Sequence, residues 1–466
     1  MTSHNVDLAI IGSGSGNSLI TNYWDDKKVA IAEGSTFGGT CLNVGCIPTK
    51  MFVRPAHLAR GVEEAALLGV KMSVENVDWP AMRDRIFGRI DAISSGGEDY
   101  RERLENVELI SQYVTLGQDN TLTAQDGTTI SAKQLVIAAG SRPSMPNIEG
   151  IELDAVHTSD SVMRLDKLPE SLVIIGGGYI ACEFAAMFSG LGTKVTQLVR
   201  SGALMRQLDT EISDAYNKEA AAHWTVRYHT EAKALRQADS GLDVVLGDET
   251  LSADAVLVAI GRIPNTDKIG AEKAGLDLHQ DGRLKVDEYQ RVLRAGKPVT
   301  GLYALGDISS AAQLKHVANY EARLVAYNLE HPESLRKNSN RAVPAAVFTH
   351  PEIAIIGLTE EEAREQLGAE NLTVKTQKFG DTAYGWAMEE QTGLFKVLAD
   401  KRTGKLVGAH AMGPESSNLI QPVIMAMNLD IDAHTAATGQ YWIHPALMEV
   451  VENALLGLDV PDSGLL

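Results

Sequence analysis

Cysteine is scarce. Three thiols in 466 residues, Cys41, Cys46 and Cys182, cannot supply the disulfide framework that a secreted chain of this length would need. Positive charge is short as well: 42 Lys and Arg stand against 61 Asp and Glu, for a net charge of −19. Such a chain repels phosphate backbones, which argues against nucleic-acid binding as a main activity. Long apolar runs are missing. The nearest candidate, Leu172–Leu191, is interrupted by glycines and by Glu183, and Leu8–Ile11 is too short for the apolar segment of a signal peptide. There is no low-complexity tract. The expectation is a soluble, cytoplasmic chain of about three domains. In a reducing compartment, two cysteines five positions apart have little structural use, and that pair is the first oddity.

What is present is glycine, 42 residues of it, and its clustering matters more than the total. The strand-forming run Val6–Ile11 ends in Gly12-Ser-Gly14-Ser15-Gly16-Asn17. A helix is expected to follow, then a strand, Val29–Ala32, closed by Glu33. Strand, glycine turn, helix, strand and acid is the dinucleotide-binding pattern: the glycines let the backbone approach a pyrophosphate, and Glu33 would accept hydrogen bonds from an adenosine ribose. The pattern recurs. Ser171–Ile175 leads into Gly176-Gly-Gly178-Tyr179-Ile180, a helical run to Gly190, and a strand, Lys194–Val199. Two such turns suggest two dinucleotides. The second copy carries Val199 and Arg200 where the first has Glu33, with Arg206 just beyond. Two guanidiniums suit a 2′-phosphate, which points to NADPH; the alternative is a pair of solvated loop charges.

In an ideal helix, residues five apart have Cα atoms roughly 8–9 Å apart, whereas a disulfide needs less than about 7 Å. Cys41 and Cys46 are therefore either unbonded or placed where a helix start is distorted, which Gly45 would permit. The second reading makes them a redox-active dithiol; the alternative is two unrelated thiols. Cys182 is expected to be a small core residue. His444-Pro445 precedes a predicted C-terminal helix, Ala446–Leu456, with Pro445 at its first position and Glu449 one turn on, able to orient the imidazole. A His–Glu pair of this kind can move protons to and from a thiol. Thr300–Asp307 reads as a buried strand ending in a turn acid, Val343–Thr349 opens a third region from about Arg341, and Glu360–Glu362 reads as an acidic first turn after Thr359.

Together these residues resemble a known family. Gly38–Lys50, with its Cys41-Leu-Asn-Val-Gly-Cys46 core, is similar to the redox motif of the flavin-dependent pyridine nucleotide–disulfide oxidoreductases. Gly177–Glu183, Tyr303–Asp307 and His444–Glu449 resemble that family's other signatures, in the same order. The resemblance implies an α/β fold with two Rossmann-like dinucleotide-binding domains plus an α+β C-terminal dimerisation domain. The boundaries would be 1–150 and 271–340 for FAD, 151–270 for NADPH, and 341–466 for dimerisation. It implies FAD near Gly12, Gly14, Ser15, Gly16, Glu33, Thr40, Lys50, Gly140 and Asp307. NADPH would lie near Gly176, Gly178, Tyr179, Ile180, Glu183, Arg200, Arg206 and Gly261. Cys46 would face the flavin, and Cys41 would attack a small-molecule disulfide. Lys50 would pair with Glu183, and the helix beginning near His316 would point its positive end at the flavin. His444, oriented by Glu449, would come from the partner subunit of a homodimer. Asn17 departs from the usual third glycine. The lack of a C-terminal cysteine pair disfavours mercuric reductase and the large thioredoxin reductases. The rival within the family is dihydrolipoamide dehydrogenase, which uses NAD and should carry an acid near Val199. A rival of another kind is a flavoprotein acting mainly as a docking subunit.

Overall fold

The computed structural model describes residues 3–339 and 342–464, so Arg341 lies outside the described residues. The strand Ser3–Ile11 pairs in parallel with Val29–Ala32 on one side and Thr129–Ile137 on the other. Its last four residues are buried, as the unbroken apolar run Leu8–Ile11 requires of a strand covered on both faces. Val107–Ile110 extends this sheet beyond Val29–Ala32. Lys297–Ala304, far along the chain, returns to pair in parallel with Thr129–Ile137. A second sheet is parallel throughout, in the order 225–228, 194–199, 171–175, 255–258, 156–157. A third, antiparallel sheet in the C-terminal region runs in the order 345–347, 353–357, 406–412, 394–400, 372–378.

The helices of the described residues include α1 (Gly39–Asn43), α2 (Cys46–Leu67), α3 (Trp79–Glu102), α4 (Tyr179–Gly190), α5 (Thr210–His223), α6 (Lys315–Glu330) and α7 (Glu360–Leu367). In the second glycine copy, the strand Ser171–Ile175, helix α4 and the strand Lys194–Val199 occupy the expected residues. Thr359 and Glu362 close a capping box on the acidic first turn of α7.

Two expectations are corrected. No α-helix follows the first glycine turn; the chain makes two short 3-10 turns, Gly16–Leu19 and Asn22–Trp24. The buried Arg101 on α3 holds this turn. Its Nη2 donates to the Asn17 carbonyl at 3.1 Å and its Nε to the Asn17 Oδ1 at 2.8 Å. The same carbonyl accepts the Ile20 N–H three residues on, a 3-10 bond, and Thr21 already lies in extended backbone. The C-terminal helix begins at Glu449, not Ala446, so Pro445 is not its first residue. The His444–Pro445 bond is cis, and residues 446–448 form a tight turn closed by the Glu449, Val450 and Val451 N–H groups on carbonyls three residues back.

The parallel and antiparallel regions are tied by a buried charge cluster. Lys396, on the strand Leu394–Asp400, reaches Asp209 at 2.8 Å, Glu360 at 2.7 Å and Glu211 at 3.2 Å. Lys396 is 3 % exposed and Asp209 1 %. Burial pushes the Asp209 carboxyl up, yet the Lys396 ammonium and the Glu360 N–H hold it below its ordinary range. Removing the cation strands a buried carboxylate. Lys396→Met is expected to lower the unfolding free energy by about 3–5 kcal/mol in a denaturant titration. Adding Asp209→Asn should recover part of that loss.

Candidate active site

Cys41 sits in the short helix α1, and Cys46 is the first residue of α2. The helix is broken between them at Val44 and Gly45. A Cβ at Gly45 would stand 2.9 Å from the Thr40 carbonyl oxygen, so the fold-back needs glycine. The distorted helix start anticipated from Gly45 is present. The two sulfurs are free thiols and share a hydrogen bond. Cys46 is pulled down to about 7, chiefly by the Cys41 S–H hydrogen bond and, against burial, by the Lys50 cation. Cys41, the proton donor, is pushed up by that same bond and by burial. A thiol on the first residue of a helix with no side-chain cap also faces unpaired N–H groups, which favour a thiolate.

Lys50 lies one turn beyond Cys46 on α2 and makes hydrogen bonds of 2.8 Å to both carboxylate oxygens of Glu183 on α4. Glu183 also accepts the Phe348 N–H at 2.9 Å, and the Lys50 ammonium sits 4.5 Å from the Phe348 ring centre. The pair thus joins α2, α4 and the C-terminal region at one point. Cys182, beside Glu183 in sequence, is fully buried, its thiol pushed up to about 12 by burial. It does not line the cavity into which the sulfur pair opens.

The sulfur pair opens into one continuous cavity of about 2010 Å³. Ligand pockets typically span about 300–1,000 Å³, so this one has room for two dinucleotides. Gly12, Gly14, Ser15, Glu33, Thr40, Gly140 and Asp307 line one arm; Gly176, Gly178, Tyr179, Ile180, Arg200, Arg206 and Gly261 line the other. Cys41, Cys46, Lys50 and Glu183 lie in its wall as well. Gly16 does not line it: it is buried behind the turn, where an added Cβ would meet the Ile10 side chain at 2.8 Å.

The walls suit dinucleotides. A Cβ at Gly178 or Gly261 would meet no atom within 4 Å, so each leaves open space at the cavity wall. At Gly176, φ is +140° and a Cβ would strike the Ala259 carbonyl at 2.2 Å. Helix α4 starts at Tyr179 behind the N-cap Gly178, which has no side chain to cap it, leaving its first N–H groups open to an anion. The Glu33 carboxylate is held in the turn by the Ser13 N–H at 3.0 Å and hydroxyl at 2.7 Å. Arg200 is 84 % exposed, with its nearest carboxylate, Glu231, at 4.0 Å.

Tertiary contacts add residues that sequence reasoning missed. Ser141 donates to Asp307 at 2.6 Å, and Lys315 at the start of α6 donates to Ser15 at 2.8 Å. Glu321 on α6, pushed up to about 7 by burial, accepts the Gly306 N–H at 2.7 Å and so fixes the Asp307 turn. These pairs join residues 15–300 positions apart, and apart from the α6 start near His316 no local pattern announces them.

His444 is not part of this wall. Its side chain is 71 % exposed, and Nδ1 pairs with Glu449 Oε1. The face around it is apolar and open, with Tyr441 and Ile443 102 % and 76 % exposed. Within one chain the structure brings His444 to Glu449 but not to Cys41.

The family described as pyridine nucleotide-disulphide oxidoreductase matches residues 6–322, and its dimerisation domain matches residues 343–455. The chain belongs to the pyridine nucleotide-disulphide oxidoreductases. Enzymes of this family use FAD and NAD(P)H. This oxidoreductase is 46 % identical to mycothione reductase from Mycobacterium tuberculosis (strain H37Rv), over 97 % of the chain and 99 % of the relative. It is 32 % identical to dihydrolipoyl dehydrogenase from Synechocystis, over 96 % of the chain and 98 % of that protein. Among solved structures, the HOCl-induced flavoprotein disulfide reductase RclA from Escherichia coli superposes with a TM-score of 0.85 at 26 % identity, covering 97 % of this chain and 99 % of that one. No helix among the described residues is long and apolar enough to cross a membrane.

The shared sulfur proton has a measurable signature. In the dithiothreitol-reduced protein, thiolate absorbance is expected to rise through a midpoint near pH 7 as Cys46 ionises. Cys41→Ala removes the donor and should move that midpoint up toward about 8.5. An unmoved midpoint would mean that Lys50 alone sets it.

Proposed function

We propose that this oxidoreductase reduces the disulfide of a low-molecular-weight thiol with NADPH, mycothiol disulfide being the substrate. The observation that carries the reading is the sulfur pair, with its Lys50–Glu183 partner, set in a cavity whose two arms end in glycine turns. The 46 % identity to mycothione reductase, against 32 % to dihydrolipoyl dehydrogenase, favours the first substrate over the second. The missing carboxylate at Val199, with Arg200 and Arg206 on the cavity wall, favours NADPH over NADH. In this reading residues 1–150 and 271–340 hold FAD, 151–270 hold NADPH and 341–466 form the dimer. The return of Lys297–Ala304 to the first sheet supports that assignment. A cytoplasmic setting accords with three free thiols.

FAD, when bound, supplies the relay of two electrons from NADPH to the sulfur pair. Lys50, balanced by Glu183, would place positive charge beside the relay, and the start of α6 would add its dipole. On the protein, Cys41 is the outer nucleophile. It attacks one sulfur of the substrate disulfide, forming a mixed disulfide and releasing one thiolate. The partner's His444, its imidazole held by Glu449, takes the Cys41 thiol proton during the attack and returns it to that leaving thiolate. Cys46 then attacks Cys41 in the mixed disulfide, releasing the second thiol and restoring the Cys41–Cys46 bond. The sum is one disulfide, one NADPH and one proton giving two thiols and NADP⁺.

A panel of disulfides assayed with NADPH tests the substrate; glutathione disulfide as the best substrate would remove mycothiol from the reading and leave the chemistry. Cys41→Ser and His444→Ala homodimers should each be inactive, while mixed dimers should regain about a quarter to a half of wild-type turnover by subunit statistics. Full activity in a monomeric preparation would overturn the shared site. Arg200→Ala with Arg206→Ala should raise KM for NADPH about 10–100-fold, with NADH moved far less.

A further inference from the structure

A second cavity, of about 650 Å³, adjoins the first at Cys46. It is lined by residues of α2 and α3 and by Phe348. Along α2, Cys46, Lys50 and Arg54 succeed one another at four-residue intervals, so they share one face. Arg54 thus lies about 12 Å along the helix from the thiol residue. Across the groove, Arg85 and Arg89 are likewise one turn apart on α3 and line the same space.

These three arginines stand out in a chain of net charge −19. None makes a hydrogen bond or ion pair among the described residues. The neighbouring acids on α3 are engaged elsewhere: Asp84 pairs with Arg83 at 2.9 Å and Asp91 with Arg164 at 2.6 Å. Ile47, Met51 and Pro55 fill the adjacent ridge of α2 and give the groove an apolar floor. Apolar walls with a few convergent polar groups are the ordinary make-up of a small-molecule site, and the volume is of the right size.

We infer that this groove holds one flank of the disulfide substrate, and that Arg54, Arg85 and Arg89 are binding residues for oxygen acceptors on that flank. The inference rests on the reading that the sulfur pair reduces a small disulfide. Guanidiniums donate to carboxylates and to vicinal hydroxyls alike. The flank is thus an oxygen-rich group, either the carboxylates of a peptide thiol or the hydroxyls of a sugar thiol. A cationic flank would face three arginines that no acid of this chain pairs, which disfavours it.

Steady-state kinetics of the FAD-loaded dimer with mycothiol disulfide, glutathione disulfide and cystamine test this. Arg85→Met with Arg89→Met is expected to raise KM for the best of the first two about tenfold or more, with kcat within about twofold. Arg54→Met should do so more weakly, and Arg89→Lys should restore part of the loss. Cystamine should be the poorest substrate of wild type and the only one improved by the double variant. A KM that climbs steeply with salt identifies carboxylates on the flank; one that salt leaves alone identifies hydroxyls. An unchanged KM in the double variant, for a disulfide that wild type reduces well, overturns the groove and leaves the reductase reading intact. A wild-type enzyme that reduces neither mycothiol disulfide nor glutathione disulfide overturns the reductase reading itself. FAD content and melting temperature equal to wild type show that the variants are folded.

Discussion

The site depends on one break in a helix. Two sulfurs five residues apart on a continuous helix would be held too far apart to share a proton or form a bond. Gly45 interrupts the helix, α1 ends and α2 begins again at Cys46, and the thiols meet. The same break places Cys46 at a helix start, where unpaired N–H groups and the nearby Lys50 favour its thiolate. One covalent detail, the missing Cβ of Gly45, therefore sets the sulfur geometry and its acid–base chemistry together.

Charge is used sparingly and locally. An acidic chain has few cations to place, and those near the site each have a separate task. Lys50 meets Glu183 across two helices, Lys315 meets Ser15 across 300 residues, and Lys396 anchors three carboxylates between the parallel and antiparallel regions. Buried charges persist only when paired and hydrogen-bonded, so these contacts also hold the regions in register. Arg54, Arg85 and Arg89 are different. They line a groove with no acid to meet them, which is the state expected of side chains that wait for a ligand.

Much of the fold was legible in advance because dinucleotide turns are local. Their strands, glycines and acids lie within some thirty residues, so the runs Val29–Ala32, Ser171–Ile175 and Lys194–Val199 needed no distant information. The helix expected after Gly16 is replaced by 3-10 turns, and part of the reason is distant: Arg101, more than eighty residues on, holds Asn17 through two hydrogen bonds. The start of the last helix failed for a nearer one, since a tight turn intervenes before Glu449 and propensity does not see it.

The sequence by itself determined the reactive groups: the spacing of Cys41, Gly45 and Cys46, the two glycine turns, the Val199–Arg200 end of the second strand, and the pairing of His444 with Glu449. Each is set by residues within a few positions of one another, where backbone geometry alone decides. Only the tertiary structure decided that Lys50 meets Glu183 and Phe348, that Glu321 holds the Asp307 turn, that His444 faces outward, and that three unpaired arginines share a groove with Cys46. Those contacts follow from how sheets and helices pack. Packing energy is summed over residues far apart in the chain, and no local pattern records it.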